Sequence, residues 1–305
     1  MRVIKPITII DANFTSSSIP EPDVTQNEIE WVAGTYNTGD QRIVISTHTV
    51  YEVVASPSTT DEPVAGAAKS VPTWVAVKPT NKWAMFDTIN GTQSKHTTDL
   101  TVELTYGSII NSLASFNVIG ASSVNVTATD PIEGIVYTRT VDMIDNQAVI
   151  DYYEYFFSPI IPLTEFALTD LPAFSAATIK LDYIGDTTID VGTLLLGNAV
   201  ELGVANHGTS LQLLDFSVKD VDEFGNFIVT PRRRSKLVDF DCTIQTSRVS
   251  FVFNTLSDLS TVPAVWIGTE STVDATLVYG YYRDSQINIS SPIVSDCTIQ
   301  IEGLT

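Results

Sequence analysis

Apolar and polar positions along this 305-residue chain alternate with a period of two far more often than with a period of 3.6. Residues 42–45, 100–104, 124–127 and 178–183 alternate or run β-branched side chains between Gly, Pro, Asn and Asp, and each is predicted as a strand. The best helical period lies over residues 248–259. There Val249, Val252, Phe253 and Leu256 recur at three- and four-residue spacing behind a candidate Ser247 cap, which predicts a helix packed on a sheet. The pattern therefore predicts a mainly β, multi-domain chain.

Punctuation divides the chain into four pieces, residues 1–27, 28–80, 81–203 and 204–305. In the first, Ser16, Ser17, Ser18, Pro20 and Pro22 crowd together, which predicts an extended N-terminal arm without a core of its own, placed to lie across a neighbouring subunit. The pentapeptide Asp241-Cys242-Thr243-Ile244-Gln245 recurs as Asp296-Cys297-Thr298-Ile299-Gln300. Two readings of this echo stand, two strands of one C-terminal sheet with alternate residues buried, or coincidence.

Composition narrows the partners. Apolar residues make up 44% of the chain, charged ones 17%, and no low-complexity tract interrupts it, so folded structure is expected nearly throughout. Lys and Arg number 16 against 36 Asp and Glu, a net of −20. Such a chain repels phosphate backbones, which sets nucleic acid aside as a partner, and the same charge keeps a β-rich protein dissolved. No run of apolar residues is long enough for a membrane span, and Met1-Arg2-Val3-Ile4-Lys5-Pro6 lacks the apolar stretch of a secretory signal. The expectation is synthesis in a cytoplasm with no membrane insertion. Cys242 and Cys297 are too few for a disulfide framework and are expected as buried thiols.

Trp31, the run Tyr36-Asn37-Thr38-Gly39-Asp40, then Val44, Tyr51, Pro63 and Trp74 follow an order that resembles the compact chitin- and cellulose-binding modules of families 5 and 12. The resemblance covers residues 30–75 and implies rings exposed for stacking on sugar faces, with Trp31, Tyr36, Tyr51 and Trp74 as candidate carbohydrate-binding residues and a host surface polysaccharide as partner. The same four rings also read as the core of a module too small to fold otherwise. Both readings stand.

Farther on come Pro79-Thr80-Asn81-Lys82-Trp83-Ala84-Met85-Phe86-Asp87, then Pro263-Ala264-Val265-Trp266-Ile267-Gly268-Thr269 and Ile301-Glu302-Gly303-Leu304-Thr305. In this order the phrases look like a family of phage tail proteins that place a carbohydrate-module-like piece before a jelly-roll region. The resemblance implies a small β-module, a galactose-binding-like jelly-roll sandwich over 81–203, and a C-terminal sheet with one helix over 204–305. It further implies a non-enzymatic virion component of the tail tip, baseplate or fibre attachment. Other tail proteins and copies of the chain itself would be its neighbours. A host-glycan reader of the tail and a head or neck decoration protein are the alternatives.

Residue chemistry adds little to that. His48, His96 and His207 are widely spaced and match no zinc pattern, and no cofactor is expected. Asp142, Asp145, Asp151 and Glu154 are read as a solvated loop rather than a glycosidase pair. Residues 152–157, Tyr-Tyr-Glu-Tyr-Phe-Phe, are expected to be strand-like, with half the rings in a core and the rest at a subunit contact. The run Asp220-Val221-Asp222-Glu223-Phe224-Gly225-Asn226 lacks a full calcium ligand series and is predicted as a hairpin with a Gly-Asn turn. Arg232, Arg233, Arg234 and Lys236 form the one basic run, read either as a grip on an acidic neighbouring subunit or as an exposed strand end.

Overall fold

The structure is a computed structural model that describes residues 1–89, 91–145, 149–221, 223–268 and 275–304. It is mainly β, as the two-residue period predicts. Each predicted strand forms, as Gln41–Val44, Leu100–Thr105, Ser123–Asp130 and Thr178–Ile184, with Ile45 diverted into a 3-10 turn.

Two antiparallel sheets face each other. The larger runs in the order Glu165–Leu168, Ser112–Ile119, Ile189–Glu201, Arg2–Pro6, Ala264–Ile267, Val278–Asn288, Val294–Gly303 and Arg234–Gln245. The smaller runs Gly134–Asp142, Ser123–Asp130, Thr178–Ile184, Leu100–Thr105 and Phe14–Ser17. Alternate residues of each sheet meet in one core: Leu100, Val102, Val124, Leu181 and Tyr183 from the smaller pack with Leu113, Val118, Phe166, Leu194 and Leu196 from the larger. The same face of the larger sheet continues into a second core of Val3, Phe240, Trp266, Ile299 and Ile301. The helix Val249–Asp258 covers it with Val252 and Leu256.

That helix corrects one detail of the sequence reading. A 3-10 turn, Thr246–Arg248, leads into it, Arg248 holds the N-cap position, and no side chain caps it, so Ser247 has no such role. Phe253 points outward and is exposed.

The N-terminal stretch is extended, and two of its segments are built into the sheets of the molecule. Arg2–Pro6 pairs on one side with Ile189–Glu201 and on the other with Ala264–Ile267, with Val3 and Ile4 buried on opposite faces. Phe14–Ser17 closes an edge of the smaller sheet against Leu100–Thr105. The Ser- and Pro-rich composition describes residues 16–22 and conceals the strand before them. Because Arg2–Pro6 lies between strands of the 81–203 and 204–305 stretches, those two stretches share one continuous sheet.

The echoed pentapeptides lie side by side in that sheet, with Cys242 opposite Cys297 and Asp241 opposite Thr298. Both thiols are free and buried. Burial pushes the Cys242 thiol up to about 12 and the Cys297 thiol up to about 11.

Residues 28–80 form a small unit of their own. Gln41–Val44, Thr49–Val53 and Trp74–Pro79 make a three-stranded sheet, and the short helix Pro63–Ala67 lies against it with proline in its first turn. Gly66 sits so close to Trp74 that a Cβ there would come within 2.5 Å of the indole, so glycine is what lets the helix approach the ring.

Candidate functional site

The four candidate sugar-stacking rings form the core of the small unit. Tyr36, Tyr51, Val53 and Trp74 are buried together, Trp31 packs beside them partly buried, and Trp74 is 0% exposed. Tyr36 meets Trp74 edge-on at 5.5 Å, its hydroxyl donates to Val32 O at 2.6 Å, and Trp74 Nε1 donates to Asp61 O at 3.0 Å. A ring without an accessible face has nothing to offer a saccharide, so of the two readings of these residues the geometry takes the core for Tyr36, Tyr51 and Trp74.

The unit is fastened to the sandwich by a buried polar network that no local pattern announces. Glu21, whose side chain is 5% exposed, accepts from Thr80 Oγ1 at 2.7 Å and from Trp83 Nε1 at 3.2 Å, and faces His48 Nδ1 at 3.0 Å. His48 reaches Asp11 through Nε2 at 3.0 Å and stacks on Trp83 with centroids 4.1 Å apart. Beneath this layer Glu28 accepts from the Asp23 and Asn81 backbone N–H groups at 2.8 and 2.5 Å. Asn81 in turn donates to Asp23 and to Lys95 O at 2.6 and 2.8 Å. Burial is the main cause that raises the Glu28 carboxyl above its ordinary value, and the neighbouring Asp23 and Glu21 carboxylates push the same way. The phrase Pro79-Thr80-Asn81-Lys82-Trp83, singled out for its resemblance, is thus the buried joint between two packed bodies.

The basic run lies at the root of a long hairpin arm. Ser210–Asp215 pairs with the start of Arg234–Gln245, and beyond a bend at Phe216 and Ser217 the ladder resumes as Val218–Val221 against Phe227–Thr230. The predicted turn forms with Gly225 at φ 82°, while Asp222 lies outside the described residues. Lys236, a candidate subunit contact, is occupied within the chain by an ion pair to Glu165. The Arg233 guanidinium lies over Gly91, where a Cβ would meet it at 2.1 Å. All three arginines, Arg232, Arg233 and Arg234, are at exposed positions at the root.

Residues 152–157 depart most from expectation. They form a short helix, Tyr152–Phe157, in which Tyr152, Tyr153, Tyr155, Phe156 and Phe157 are between 69% and 86% exposed. Asp151 accepts from Glu154 N at 2.9 Å while Glu154 accepts from Ile150 N at 2.7 Å, a reciprocal cap that selects a helix over a strand. Two of the carboxylates weighed as catalytic are therefore engaged with backbone. Of the other polar candidates, His96 is half-buried and His207 is exposed, and no group of three or more His, Cys, Asp or Glu that would hold a metal occurs among the described residues. Nor is any helix among them long and apolar enough to cross a membrane.

In comparison with known proteins, no family model matches this chain, and neither the curated proteins nor the solved structures give a match. Thr269 and Thr305, the last residues of two of the phrases that carry the tail-protein resemblance, lie outside the described residues.

Proposed function

We propose that this chain is a structural component of a phage virion, of the tail tip, baseplate or fibre attachment, and that it acts by protein–protein assembly. The virion part rests on the order of the phrases along the sequence. The assembly part rests on one observation: a body with three well-packed cores carries projections whose apolar side chains have no core of their own. The helix Tyr152–Phe157 with Ile150 and Ile160, and the arm beyond Phe216, expose large apolar groups in contiguous sets. Contiguous sets of this kind mark surfaces that a partner covers, whereas scattered single exposures do not.

Mass spectrometry of purified particles of the encoding phage tests the reading, with the chain expected among the virion proteins. Labelling it in intact particles and imaging them is expected to place it on the tail, and a head or neck position would favour the decoration alternative. Replacing Tyr155, Phe156 and Phe157 by serine is expected to leave the fold within about 0.5 kcal/mol. The same variant is expected to be lost from assembled particles, and unchanged incorporation would remove the ring cluster from the contact.

A further inference from the structure

Two adjoining recesses carry charge of the sign that is scarce in this chain. One, of about 470 Å³, is lined by Arg233, Arg234 and Lys236 with Glu165. The other, of about 230 Å³, is lined by Lys78 and Lys95, with no carboxylate among the described residues. Gly91 and Gln93 line both, so the two recesses share a floor. Five bases against one acid reverse the balance of the whole chain, in which 36 acids face 16 bases.

Three of the five bases are already engaged. Lys95 pairs at 2.9 Å with Asp190, which lies opposite it on the neighbouring strand. Lys236 pairs with Glu165, and Arg234 has its partner within the chain. Arg233 and Lys78 differ, since neither side chain makes an ion pair or a hydrogen bond to the described residues. Arg233 is nevertheless seated. Its guanidinium lies over Gly91, on the shared floor, where any side chain would collide with both Nη atoms, so glycine at 91 is what opens the seat. Lys78 reaches the second recess from the strand Trp74–Pro79 of the small unit. The two uncommitted charges thus come from two packed bodies and border one floor.

Two such cations call for a ligand with at least two anionic groups. The planar fork of an arginine takes a carboxylate or a phosphate two oxygens at a time, and a lysine adds a point charge. The larger recess has the volume of a small-molecule site, and Gln26, Gln93 and Thr164 add neutral hydrogen-bonding groups to the walls. The net charge of −20 around the recesses repels a long phosphate backbone, whereas a small anion meets only the local field.

We propose that these recesses bind a small polyanion, a molecule with two or more carboxylate or phosphate groups, one held by Arg233 over Gly91 and another by Lys78. The site does not depend on the virion reading.

Calorimetric titration of the full chain tests it, with citrate as the carboxylate probe, pyrophosphate as the phosphate probe, and acetate and tetraglutamate for comparison. Citrate or pyrophosphate is expected to bind with a Kd below about 1 mM in dilute buffer and to weaken at least tenfold in about 0.5 M salt. The tighter of the two identifies the anionic group, and binding by either supports the site. Arg233→Gln is expected to weaken binding at least tenfold and Lys78→Gln about threefold. Gly91→Ala is expected to weaken it at least threefold by displacing the guanidinium, with an unchanged urea midpoint because the displaced atoms end a flexible side chain. Arg232→Gln, one residue away and outside both recesses, is expected to bind as the wild type does. Absence of binding by both probes at about 10 mM, or an Arg233→Gln variant that binds normally, overturns the proposal. Acetate binding as tightly as citrate overturns the two-charge recognition, and tetraglutamate binding more tightly than either probe replaces the small ligand with an acidic segment of a protein partner.

Discussion

Phe116 and Tyr279 stack with ring centroids 5.6 Å apart and planes at 27°, although four strand-to-strand steps separate them along the larger sheet. In a flat sheet those steps would span about 19 Å. The sheet is therefore curled tightly round this face, and Ile4, Ala114, Leu195 and Val265 fill the enclosed space. The ion pair from Lys236 to Glu165 joins Arg234–Gln245 to Glu165–Leu168, seven strand-to-strand steps apart along the same sheet, on the same closing seam.

Tyr279 is buried, and its hydroxyl has no hydrogen-bond partner among the described residues. Burial raises that phenol's pKa, so its oxygen stays protonated at neutral pH. Tyr279→Phe keeps the stack and removes a desolvated polar group. It is expected to leave stability unchanged or raise it by about 1 kcal/mol in urea denaturation. A loss of more than that would mean that the hydroxyl has a partner.

Glu21→Ala is expected to cost on the order of 3 kcal/mol, because Thr80 Oγ1 and Trp83 Nε1 lose their acceptor in a buried site. The readout is limited proteolysis. Cleavage should concentrate in residues 28–80 and their joint while the sandwich resists, and Glu21→Gln should recover part of the protection.

Trp74→Ala is expected to unfold the small unit, since deleting a large buried ring costs about 3–5 kcal/mol and the core there has few other members. Loss of near-ultraviolet dichroism together with no polysaccharide retention by the parent protein would support the core role. Saturable glycan binding that this substitution weakens without unfolding would reinstate the sugar reading.

Glu28 gives the fold a pH dependence of known sign. Its carboxyl is raised in the folded state, so between the unfolded value and the folded one the native chain holds the extra proton. Its contribution to stability is therefore most favourable below the unfolded value and declines as pH rises through the folded one. The stability of the wild type minus that of Glu28→Gln is expected to fall as pH is raised from the ordinary carboxyl value of about 4.3 through the higher folded one, measured by urea midpoints. A difference that is flat or rises would contradict the burial of this group.

Local pattern decided a good deal of this protein. Alternation in Leu100–Thr105 and Thr178–Ile184 is written residue by residue, because a half-buried strand needs an apolar side chain at every second position whatever lies opposite it. The same logic gave the helix Val249–Asp258 its buried stripe and placed the Gly225 turn. It left the rings of the small unit open between core and sugar, since an aromatic sequence does not say which face is covered. Tertiary structure alone decided the rest. Arg2–Pro6 becomes a central strand only because partners nearly 200 and more than 260 residues away supply both of its ladders. Glu21, His48 and Trp83 become a joint only when three distant segments meet. The basic run divides in the same way, with Lys236 drawn inward by Glu165 and Arg232 left outside, because exposure belongs to the packed molecule and not to the residue.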